Sequence, residues 1–147
     1  MRIWLAYKFR GADMQELRSN LENIITLLSH KGHEIKTMIK DIQGWDPDCM
    51  PKTEAVKRAY TLMDTCDMAL CIYHAPDPSE GRGWDTGYFA GRNKPTVMAI
   101  KKDIQNPFTE ALFSQNPANR QAGLPSIIRY DAFTDIYDSI PADPKGL

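Results

Sequence analysis

Asp85 lies in the stretch SEGRGWDTGYFAG (79–91), among Gly81, Gly83 and Gly87 and just after the apolar run MALCIYHA (68–75). A carboxylate in the first turn of a helix is held as an anion by the helix dipole, worth about 0.3–1 kcal/mol at an exposed site. That alone accounts for an acid at a helix start. The same ionised carboxylate would also attack the anomeric carbon of a sugar or stabilise an oxocarbenium-like transition state. The neighbouring glycines would let backbone approach a ligand closely.

A second group stands near the N-terminus, where Lys8, Arg10 and Gly11 follow the apolar run RIWLAY (2–7). Two cations, a flexible glycine and free helix N–H groups make a phosphate cradle, or else a solvated basic turn. The glycine pattern is neither a Walker A loop nor a dinucleotide fingerprint. Trp45 and Trp84 offer ring faces for stacking on a base, with packing against its own helix the alternative for Trp84. His30, His33 and His74 are scattered, with no spacing that suggests a metal site, and Cys71 reads as core.

The elements that must position these groups follow from hydrophobic spacing. RIWLAY, HEIKTMI (33–39), MALCIYHA, TVMAI (96–100) and SIIRY (126–130) read as short buried strands. Leu17, Leu21, Ile24 and Leu28 repeat at helical spacing behind an Asp13/Glu16 capping box, and Gly32 is a stop signal. DIQGWDPDCMP (41–51) reads as a loop, Pro51 as the opening of a helix that ends near Cys66, and NPFTEALF (106–113) as a short helix. ANRQAGLP (118–125) reads as a loop and DAFTDIYDSI as a last helix. Strands alternating with helices predict an α/β fold, a flavodoxin-like (Rossmann-like) five-stranded parallel sheet with helices on both faces. Ligands then bind at the carboxyl ends of the strands, where YKFRGAD and APDPSEGRGWD should meet.

One domain over 1–147 is expected, with 140–147 a loose tail. A net charge of −1 gives no basic field for a nucleic acid polymer. No apolar run approaches a membrane span, and three cysteines without CxxC spacing read as reduced thiols, so a cytoplasmic location is expected.

The segment GRGWDTGYFAGRNKP, behind a strand beginning CDMALCIY, resembles the nucleoside 2-deoxyribosyltransferase family, which includes the 2'-deoxynucleoside 5'-monophosphate N-hydrolases. The resemblance runs over most of the chain in order and spacing, and its specific part covers residues 7–11 and 67–95. It implies that Asp85 takes the place of the family's nucleophilic Glu and that the Tyr7 phenol orients it. Ser79 and Arg10-Gly11 match the phosphate contacts of the hydrolase branch. From the reading of the residues themselves, Lys8 is expected beside them and Gly81, Gly83 and Trp84 around the substrate. Thr109 matches a residue those hydrolases supply from a neighbouring subunit, which implies a homodimer. The chain departs from the family at Asp85 itself, one methylene shorter than Glu, and at Ala59, where the family has an acid near the sugar and base. Either Asp46 or Asp48 in the long loop serves as the substitute acid, or the base and leaving-group chemistry differ. The implied activity is cleavage of the N-glycosidic bond of a (deoxy)nucleoside 5'-monophosphate, with release of the base and no metal or organic cofactor. Transfer of deoxyribose between bases is the alternative, and a nucleotide-binding module without turnover the second.

Overall fold

The five apolar runs pair into one all-parallel sheet: β1 (Arg2–Tyr7), β2 (Glu34–Lys36), β3 (Met68–Tyr73), β4 (Thr96–Lys101) and β5 (Ile127–Tyr130), in the order β2-β1-β3-β4-β5. The computed structural model describes residues 1–9, 11–76, 80–143 and 145. The helices are α1 (Met14–Ser29), α2 (Lys52–Asp64), α3 (Glu80–Ala90), α4 (Pro107–Ser114), α5 (Pro117–Gln121) and α6 (Phe133–Ser139). This is the flavodoxin-like arrangement, and its switch point lies between β1 and β3.

Side-chain alternation along the strands sorts the core into two layers. Ile3, Leu5 and Tyr7 face Leu17, Leu21, Ile24 and Leu28 of α1 and Ile136 of α6. Trp4 and Ala6 face the other way, with Ala59 and Met63 of α2, Phe89 of α3 and Phe113 of α4. This alternation decides which groups of β1 reach α3.

Three local expectations are corrected. The second strand is only Glu34–Lys36, because the Asp41 side chain accepts from the Thr37 N–H at 2.8 Å and the chain coils into a π-helical turn, Met38–Ile42. The expected loop at 118–125 begins inside α5, which Asn116 caps at the Ala118 N–H and Pro117 opens. The tail expected to be loose from 140 is held further along. Ile140 is buried, the Asp143 N–H donates to the Lys31 carbonyl at 2.8 Å, and the Asp143 carboxylate pairs with the N-terminal ammonium.

Buried Asn119 finishes the start of β4. Its Oδ1 accepts from the Thr96 N–H at 2.9 Å, and its Nδ2 donates to the Thr96 and Pro125 carbonyls at 2.8 and 3.1 Å. Asn119→Ala would leave three backbone groups without these partners. The expected cost is about 2–4 kcal/mol, read as a lowered denaturant midpoint at unchanged slope.

Candidate active site

Between the switch point and α2 lies a cavity of about 630 Å³, a size that suits a mononucleotide-scale ligand. Each wall comes from a different element. Phe9 and Gly11 follow β1, Met38 and Gln43 follow β2, and Pro47 and Asp48 belong to the loop before α2. Ala55, Ala59, Tyr60 and Met63 form the α2 wall, and α3 contributes Gly81, Trp84 and Asp85. Gly11 has φ +74°, a left-handed conformation that favours glycine, so the turn into α1 needs this residue.

Asp85 is the carboxylate on the α3 wall. It lies in the second turn of the helix rather than the first, so the dipole argument for its ionisation loses most of its force. Burial dominates instead and raises its pKa to about 6, opposed by a hydrogen bond from Trp4. The Trp4 Nε1–H donates to Asp85 Oδ2 at 3.0 Å. The first turn of α3 is pinned to the sheet by Arg82, whose Nη1 donates to the Ile72 carbonyl at 2.7 Å while its guanidinium lies 3.9 Å from the Tyr73 ring centroid. Thr86 adds a second tie, its hydroxyl 3.4 Å from the Cys71 thiol. Asp85 therefore sits on a helix fixed to β3, beside a donor fixed in β1.

The expectation that Tyr7 orients Asp85 is corrected by this geometry. Tyr7 belongs to the α1 layer, and its ring stacks on His74 with centroids 4.2 Å apart. The period of two along β1 puts positions 3, 5 and 7 on one face and positions 4 and 6 on the other. Trp4 is thus the β1 residue that reaches α3. The His74 imidazole is pushed down to about pKa 4 by burial and by Arg82, Lys8 and Lys101, so it stacks as the neutral ring near pH 7.

The remaining expected residues divide. Gly11, Gly81, Trp84 and Asp85 come together around the cavity. Arg10 and Ser79 lie outside the described residues, and Lys8 is not among the groups lining the cavity. Gly83 and Thr109 line a different cavity of about 540 Å³, between α3 and α4. Trp45 is turned away from the cavity and packs against the α1 layer, with the Arg18 guanidinium 4.9 Å from its ring centroid. Trp84 is 70 % exposed at the cavity mouth, so it is free to meet a ligand.

Ala59 does line the wall where an acid was expected, beside Ala55 and Met63, so the wall is apolar at that point. Of the two substitutes considered, Asp48 reaches the cavity, while Asp46 accepts a hydrogen bond from the Asp48 N–H at 3.0 Å. Sequence reasoning missed Trp4, Gln43 and Lys52. Gln43 is buried at the cavity, with Nε2 donating to the Pro47 carbonyl at 3.3 Å and Oε1 without a partner among the described residues. Lys52, at the start of α2, supplies a cation on the same wall as Asp48. The even positions of β1 were the one available signal for Trp4; nothing local marked the other two.

A scan against protein-family models finds no match, and neither does a search of curated proteins. Solved structures do match in fold. A CMP N-glycosidase from Clostridium botulinum, BcmB, superposes with a TM-score of 0.63 at 16% identity, covering 94% of this chain and 96% of that one. A 2-deoxyribosyltransferase from Bacillus psychrosaccharolyticus gives 0.64 at 16% identity over 98% of each chain. A 2-desoxiribosyltransferase from Leishmania mexicana gives 0.56 at 14% identity over 67% of this chain and 63% of that one. At these identities the likeness establishes the fold, and it is the fold of the family that the residues around Asp85 resemble.

Proposed function

We propose that this chain is an enzyme that cleaves the N-glycosidic bond of a nucleoside 5'-monophosphate, with Asp85 as the nucleophile. The observation that carries the reading is a partly buried carboxylate, hydrogen-bonded by a fixed indole, on the wall of a nucleotide-sized cavity at the switch point of a parallel sheet. The solved structures of similar fold, an N-glycosidase and two deoxyribosyltransferases, support the same chemistry.

Asp85 attacks the anomeric carbon as the base departs, and water then releases the sugar from the glycosyl ester. The phosphate is held by the loop after β1, Lys8-Phe9-Arg10-Gly11, together with Ser79. Trp84 and Gly81 close over the sugar, and the base lies along the Ala59 wall towards Gln43 and Asp48. The exposed Phe108 and Leu112 beside Thr109 support docking of a second copy at α4, giving a homodimer in which Thr109 serves the partner's site. The free cysteines Cys49, Cys66 and Cys71 fit a reducing compartment such as the cytoplasm. Among the described residues no helix is long and apolar enough to cross a membrane.

The reading is tested by chromatographic detection of free base from a panel of ribo- and deoxyribonucleoside 5'-monophosphates and the matching nucleosides. Release from monophosphates is expected. A new nucleoside formed from a deoxynucleoside and a second free base, with no phosphate requirement, would replace hydrolysis by transfer. Binding without release across the panel would leave a nucleotide-binding module. A pH dependence follows from the state of Asp85. Only the ionised carboxylate attacks, and burial holds its pKa near 6. The kcat/KM of base release should therefore be flat above that value and fall about tenfold per pH unit below it. A profile flat down to roughly pH 4 would show that the attacking carboxylate is not held at that raised pKa.

A further inference from the structure

Trp4 is fully buried, enclosed by Ala6, Ala59, Met63, Ala69 and Cys71 on the α2–α3 side of the sheet. A buried indole N–H needs an acceptor. Here the acceptor is one oxygen of the cavity carboxylate, Asp85 Oδ2 at 3.0 Å, and among the described residues no other side chain donates to Asp85. The donor's place is set by the sheet: Trp4 pairs with Lys36 on one side and with Ala69 on the other. The Asp85 side chain has two rotatable bonds, so fixing Oδ2 to a rigid donor also fixes where Oδ1 points. With the carboxylate ionised, the bond is charge-assisted and correspondingly strong.

We infer that Trp4 is the positioning residue for Asp85, its indole N–H holding Oδ2 so that the second oxygen is the one presented to the reacting carbon. The inference rests on the reading of Asp85 as the nucleophile. It assigns to Trp4 a task that the sequence resemblance had given to Tyr7, three residues further along the same strand and on its opposite face. A shorter carboxylate reaches less far towards the strand end, and a donor deeper in the strand meets it.

Two variants test this. Trp4→Phe removes the donor, and replacing Trp4 with 3-benzothienylalanine keeps the shape of the ring system while putting sulfur where the N–H stood. The Asp85 carboxyl is titrated by carbon NMR in the ligand-free protein, and kcat and KM for base release are measured against pH. In both variants the carboxyl should titrate about one to two pH units higher, and the acid limb of kcat/KM should move with it. At a pH above both limbs, kcat should fall about tenfold or more with KM changed less than about threefold. A purely structural role would lower the yield of folded protein and leave the titration in place. An unmoved carboxyl titration in the benzothienyl variant overturns the inference, whatever the activity. Absence of base release by the unaltered protein overturns the proposed function instead, and the titration alone then decides whether Trp4 holds the carboxylate.

Discussion

Asp85→Asn is expected to lower base release by about 10³-fold or more and at the same time to make the folded protein more stable at neutral pH. The two effects have one cause. The carboxylate is placed where its charge is poorly solvated, which raises its pKa from 3.8 to about 6. The folded state therefore holds the proton more tightly than the unfolded chain does. Stability from this group is undiminished below about pH 4, declines as pH rises through the window between the two values, and carries the full penalty above about pH 6. A neutral amide of the same shape escapes that penalty, and its oxygen still accepts from the Trp4 N–H. The gain should be about 1–3 kcal/mol at pH 8, and it should vanish as the pH is lowered towards 4. Denaturant unfolding of both proteins at the two pH values measures it. A carboxylate with only a structural role would give the opposite result, with the Asn variant less stable at every pH.

Asp85→Glu separates position from charge. The variant keeps the carboxylate but adds a methylene, moving the reacting oxygens by roughly 1.5 Å relative to a cavity wall that α3 and β1 hold fixed. Misplacement of that order costs about 10²-fold in rate. The longer side chain also cannot keep the same bond to the Trp4 indole while lying in the same rotamer. Base release should therefore fall about 10²-fold, less than in Asp85→Asn, with the loss carried mainly by kcat. Equal or faster release by the Glu variant would show that the site is built for the longer acid and that the Trp4 bond is incidental.

The layout of the sheet and the place of the site were legible because both rest on local signals. Apolar runs punctuated by Gly and Pro mark the strands, and their alternation with helices marks a parallel sheet. Gly11, Gly81, Trp84 and Asp85 meet where the loops after β1 and β3 converge, as the switch-point rule requires. What was not legible depends on side-chain direction across the sheet. The resemblance made Tyr7 the partner of Asp85, yet alternation along β1 turns it to the α1 layer. The truncated second strand was hidden because HEIKTMI has a strand's composition, and only the Asp41 side chain bonding to Thr37 stops it. Gln43 and Asp48 reach the cavity through that coiled segment, so their roles could not be read before its shape was known.

The central claim is that Asp85 attacks the anomeric carbon, and the stereochemistry of the product tests it most directly. Base release in dilute methanol should yield a methyl glycoside, whose anomeric configuration is read by proton NMR. Two displacements, first by Asp85 and then by the alcohol, predict retention of the β configuration of the starting nucleotide. An inverted, α-configured product would contradict the covalent route and leave Asp85 as a base that activates the incoming nucleophile.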